Sequence, residues 1–219
     1  MPSRRAPVVF PSRLELWLIT LIGLVPAGLY FWYGAHNQLG ADPVNVFERW
    51  LGLWGVRFLV VTLAIAPLRD LGVINLVRYR RTFGLLVFWY AVMHVATYGV
   101  LDQHLDLRAV FGEVTTKPFL MVGLAAFVLL CPLAATSNRW SIRTLGRLWG
   151  TLHRGVYVVA ALAGVHFLMA FKTYTVTSVG YAAALFVLGA AGVVRRVRHN
   201  GRRRMSAANE PMRRPKTTG

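Results

Sequence analysis

Three histidines stand inside long apolar runs: His94 within residues 82–101, and His153 and His166 within residues 149–171 (WGTLHRGVYVVAALAGVHFLMAF). An imidazole can ligate a metal, relay a proton or hydrogen-bond a neighbour. A polar ring in an apolar helix needs a partner, so each of these three is a functional candidate by default. His153 and His166 are 13 residues apart, about 20 Å along a helix at ~1.5 Å per residue. One therefore falls near each face of a hydrocarbon core about 30 Å thick. His36, His104 and His199 fall in loops or in the tail and read as ordinary surface residues.

The elements that must position these rings are membrane spans. The chain has 219 residues, 56% hydrophobic and 15% charged, with a mean hydropathy of +0.49. A soluble domain averages about 25% charged residues. Apolar runs at residues 14–34, 50–68, 82–101, 118–135, 149–171 and 178–194 predict an all-α integral membrane protein, a bundle of six transmembrane helices in one domain. Residues 1–13 form a basic head, and residues 195–219 a basic tail expected to lack structure. The first run is expected to remain a span and not a cleaved leader, because it is long and ends in Tyr30, Phe31, Trp32 and Tyr33. The net charge of +17 lies between and after the apolar runs, which points to topology and away from nucleic acid. The single cysteine, Cys131, excludes an intrachain disulfide, a cysteine zinc site and a thiolate iron–sulfur site, and reads as a small core residue.

Orientation follows from the cations. The head, the loops after spans two and four, and the tail carry 19 of the 25 Lys and Arg; the other side holds Arg49, Arg108, Lys117 and Lys172, and Arg57 and Arg154 lie within spans. The positive-inside rule puts both termini in the cytoplasm. Spans three and five then both run outward, so His94 and His166 share a depth toward the outer face and His153 lies near the inner one. Two imidazoles facing each other across a helix pair is an arrangement that ligates haem, whose apolar rings suit a bundle interior. Gly84, Gly99 and Gly164 are candidates for letting a porphyrin approach the backbone. Arg57 is a candidate partner of a haem propionate or a side chain reaching the interface.

The segments RRTFGLLVFWYAVMHVATYGVLD, TKPFLMVGLAAFVLLCPLAATSN and RTLGRLWGTLHRGVYVVAALAGVHF resemble the ferric reductase-like transmembrane domains. Within that family they resemble the haem-binding membrane subunits of bacterial protein-methionine-sulfoxide reductase systems. The resemblance covers roughly residues 50–194. It implies a haem b electron carrier, with one or two haems, in the bacterial inner membrane. It implies electrons taken from the quinone pool, an associated FMN, and delivery to a periplasmic MsrP-like molybdopterin reductase that repairs oxidised methionines. By the family pattern His94 and His166 map onto an outer haem pair and His153 onto an inner site.

The wider ferric reductase pattern carries a further histidine 14 residues before the first, and here that position is Arg80. Arg80 falls within about 40° of the His94 face of an ideal helix. Arginine stays protonated and is a poor iron ligand. Three inner occupants are compatible: a weakly ligated haem with Arg80 or Arg81 pairing a propionate, the phosphate of FMN, or a quinone. His153 and His166 point about 140° apart on an ideal helix, so two stacked sites need a distorted helix or offset haems.

The expected activity is electron transfer, with no catalytic side chain of its own. Residues 195–219 hold no dinucleotide-binding motif, so electrons are expected from another molecule. The rival readings are a b-type cytochrome reducing ferric chelates or another acceptor, a transporter using the histidines as a proton or solute relay, and a membrane anchor with structural histidines.

Overall fold

The computed structural model describes residues 12–171 and 174–208, and every regular element among them is helical. Six helices are long and apolar enough to cross a membrane. The first, α1 (Arg13–Ala35), is capped by Ser12, whose side chain accepts from the Glu15 amide at 3.1 Å. The next, α2 (Pro43–Asp70), opens on Pro43 behind an Asp42 cap. It starts seven residues before the expected span, which places Glu48 and Arg49 inside a helix. α3 (Arg80–Thr97) passes into a π-turn at Tyr98–Asp102.

Between the third and fourth spans, where a loop was expected, lies the short helix α4 (Leu107–Thr116). Asp106 caps it by accepting from the amides of Arg108 and Ala109 at 2.9 and 3.0 Å. Its apolar residues Leu107, Val110, Phe111 and Val114 recur at helical spacing. α5 (Pro118–Ala135) is the fourth span, and α6 (Arg139–Leu145) stands in the loop after it. The fifth span is broken: α7 (Arg147–Leu152) and α8 (Gly155–Met169) are separated by a turn at His153 and Arg154. The last helix, α9 (Val176–Ala208), runs past the expected end of span six at Val194. Arginine, alanine and methionine are good helix formers, so the basic segment 195–208 extends α9 where no structure was expected. The remainder of the expected tail, 209–219, and most of the basic head lie outside the described residues.

The five spans α2, α3, α5, α8 and α9 pack as a closed ring in which each touches the next and α9 returns to α2. α1 lies outside it against α2 and α3. That docking uses a small residue and one hydrogen bond. Gly23 lets the α3 side chain Leu86 come so close that a Cβ would stand 2.6 Å from its Cδ1. The fully buried Tyr90 donates its hydroxyl to the Gly23 carbonyl at 2.8 Å. The outer face of α1 shows Trp17 and Ile22 about two-thirds exposed, as expected where the surrounding solvent is lipid.

Candidate functional site

His94 on α3 and His166 on α8 face each other, with ring centres 6.2 Å apart and ring planes at 73°. Their Nδ1 atoms turn away from that gap. His94 Nδ1 lies 2.9 Å from the Glu48 carbonyl on α2, and His166 Nδ1 lies 2.8 Å from the Phe119 carbonyl on α5. A carbonyl oxygen can only accept, so Nδ1 carries the proton in both rings. Each Nε2 is then left with its lone pair, which is the atom a metal takes. The matched depth of His94 and His166 expected from topology is thus present as a facing pair.

The two rings line one cavity of about 440 Å³ among α2, α3, α5 and α8, within the size range of cofactor sites. Its inner walls are apolar, with Leu51, Leu59, Val87, Leu130 and Val159 among them. Its mouth carries Glu48, Arg49, Asp102, Glu113 and Lys117. Glu48 reaches inward until its Oε1 is 3.9 Å from His94 Nε2. At the rim, Glu113 accepts from Lys117 Nζ at 2.8 Å and from the Tyr98 hydroxyl at 2.9 Å. The Lys117 ammonium and the Tyr98 hydroxyl hold the Glu113 carboxyl below the ordinary carboxylate value.

The other candidates lie elsewhere. His153 sits in the turn between α7 and α8 and does not line this cavity. It stacks on Trp149 at 4.0 Å, with Nδ1 3.2 Å from the Trp149 carbonyl and Nε2 3.4 Å from Ser137 Oγ. Arg80 lies half-buried beside Tyr157, which also faces Arg196, and Arg81 is exposed. Nearby, Arg195 bridges to Asp70 at 2.9 Å. Arg57 does not line the cavity. Its Nε donates to the Tyr181 hydroxyl at 3.1 Å, and its guanidinium lies 4.6 Å from the Trp54 ring centre and 5.5 Å from that of Trp50. Gly84 and Gly99 have no neighbour within 4 Å of a built Cβ, and Gly164 faces Phe186.

Sequence reading missed Glu48 because the second span was started at Trp50. It also missed Gly52 and Gly123, the residues against which the two rings lie. Glycine is common in membrane helices, so neither stood out.

Two comparisons bear on this arrangement. Residues 51–164 match the model of the family described as ferric reductase like transmembrane component. The chain is 50% identical over 186 residues to proteins of Brucella ovis, Brucella canis and Brucella suis, covering 85% of this chain and 84% of theirs. Each of those is named protein-methionine-sulfoxide reductase heme-binding subunit MsrQ. The chain belongs to the MsrQ family. With six apolar spans and a transmembrane family model, it is a multi-pass membrane protein. No solved structure matches it.

Proposed function

We propose that the chain holds haem b between His94 and His166 and carries electrons to the catalytic subunit of a protein-methionine-sulfoxide reductase system. The facing pair supports this most directly. Two metal–imidazole bonds of about 2 Å, each with ~1.1 Å more from nitrogen to ring centre, span roughly 6 Å, against the observed 6.2 Å. Among the described residues no group of three or more His, Cys, Asp and Glu could hold a metal ion. Two imidazoles alone leave a metal's other positions unfilled, which suits a macrocycle that brings its own nitrogens. The relatives' name, heme-binding subunit, agrees.

In this role the Nε2 atoms of His94 and His166 would hold the haem iron, and their carbonyl partners fix ring orientation and basicity. The apolar walls exclude water and hold the cofactor in a low-dielectric space. The haem iron supplies the one-electron couple. Glu48, Asp102 and Glu113 place acidic groups around the mouth, and Arg49 and Lys117 place basic ones there.

Both termini are cytoplasmic, the membrane is the bacterial inner membrane, and the mouth faces the periplasm, where an MsrP-like molybdopterin reductase takes the electrons. The quinone pool supplies them. At the inner end, Arg80, Arg195 and Arg196 around Tyr157 suit an anionic group, and the phosphate of FMN is the assigned occupant. His153 stands at that end as the inner-site residue, with Arg81 on the exposed side of α3.

The test is His166→Ala in the purified protein. The low-spin haem signal is expected to disappear, and His94→Ala should remove it equally. Retention of that signal in either variant would defeat the pairing.

A further inference from the structure

The two histidines are held in the same way by different helices. His94 packs against α2 at Gly52, and His166 packs against α5 at Gly123. In each case the carbonyl that receives Nδ1–H belongs to the residue four positions earlier, Glu48 or Phe119. In a helix, residue i+4 stands directly above residue i, and its Cβ tilts back toward the helix N-terminus. A side chain at that position shields the carbonyl below it; a glycine leaves the oxygen open to a second donor. The clearances agree. A Cβ at Gly123 would stand 2.7 Å from His166 Nδ1 and 2.8 Å from Cε1. At Gly52 the corresponding distances to His94 Nδ1 and Cε1 are both 3.4 Å.

We propose that Gly123 and Gly52 are positioning residues, each a seat that presses one imidazole onto the bare carbonyl one turn below and so fixes Nδ1 as donor and Nε2 as the free, inward-facing nitrogen. The seats act on the histidines before any cofactor is bound. Their value for haem ligation rests on the proposed function; their effect on the tautomer does not. They are unequal. At Gly123 there is no room for a methyl group unless the ring moves. At Gly52 a methyl makes an ordinary van der Waals contact, and only a larger side chain displaces the ring.

The experiment uses the full-length chain in detergent, labelled with [15N]histidine. Tautomers are read by NMR on the haem-free protein, and the low-spin signal by electron paramagnetic resonance after haem is added. The wild type is expected to show Nδ1–H at both His94 and His166. Gly123→Ala should lose it at His166 alone, and most of the low-spin signal with it. Gly52→Ala should match the wild type, while Gly52→Val should lose the tautomer at His94 alone. Gly28→Ala, on the open face of α1 with no atom within 4 Å, is the control for an added methyl. If Gly123→Ala fails to fold, the Gly52→Ala and Gly52→Val pair decides. Unchanged tautomers in Gly123→Ala, or in Gly52→Val, would overturn the proposal. Correct tautomers in a wild-type chain that takes up no haem would defeat the proposed function and leave the seats standing.

Discussion

Replacing Arg57 by methionine separates two roles for the one cation in the middle of α2. In the structure it is held by protein groups: the Tyr181 hydroxyl at 3.1 Å and the faces of Trp54 and Trp50. Losing a hydrogen bond from a charged donor costs about 1.5–3 kcal/mol, and losing a desolvated cation–π contact costs up to about 2 kcal/mol. Against this, removing an arginine from a membrane helix recovers about 2.5–3.5 kcal/mol on translocon-derived scales. The balance for Arg57→Met therefore falls between a stabilisation of about 2 and a destabilisation of about 2.5 kcal/mol, centred near zero. Tyr181→Phe keeps the ring but leaves the Nε–H without its acceptor, a loss of about 1–3 kcal/mol with nothing recovered. In the Arg57→Met background the same change should be nearly silent, so the double-mutant cycle should return a coupling of about 1–3 kcal/mol. The assay is reversible unfolding in mixed micelles, with the haem spectrum recorded on the same samples. That spectrum should not change in Arg57→Met. Additive stabilities, or loss of haem in Arg57→Met, would refute the aromatic-cage assignment and return Arg57 to a propionate.

Two further predictions concern other joints of the molecule. Tyr90→Phe removes the hydrogen bond to the Gly23 carbonyl; it should cost about 0.6 kcal/mol and no more than about 1.7, the mean and maximum for interhelical hydrogen bonds in membranes, with the haem spectrum unchanged. Glu113 has a carboxyl held below its ordinary value by Lys117 and Tyr98, so its contribution is present above that ordinary value and is lost as pH falls through the depressed one. Melting temperature against pH should therefore show an acid limb in the wild type that is smaller in Glu113→Gln, with no difference in slope near neutral pH.

The facing histidines were legible because two independent constraints met in the sequence. Apolar run length gave the spans, and two helix crossings from span three to span five give both the same direction, so His94 and His166 come to one depth without any contact being known. The signal for α4 was also present: Asp106 is a capping residue and Leu107, Val110, Phe111 and Val114 keep helical spacing. The charges between them, Arg108 and Glu113, make the stretch resemble a loop. The break at His153 and Arg154 left only a faint mark, the glycine Gly155 directly after it, and glycine is common in membrane helices. The seats at Gly52 and Gly123 depend on which helix packs beside which, and no local pattern carries that information. The extension of α9 to Ala208 was obscured in the same way as α4, the charge of residues 195–208 masking the helix propensity of arginine and alanine.

The central claim is that haem b is held by this chain at the His94–His166 pair. A dithionite-reduced minus oxidised spectrum of the purified protein, with pyridine haemochrome quantification, tests it most directly. A b-type spectrum in the wild type that is lost in both His94→Ala and His166→Ala is the predicted result. Colourless protein after expression with ample haem would contradict it and move the three histidines to a transport role.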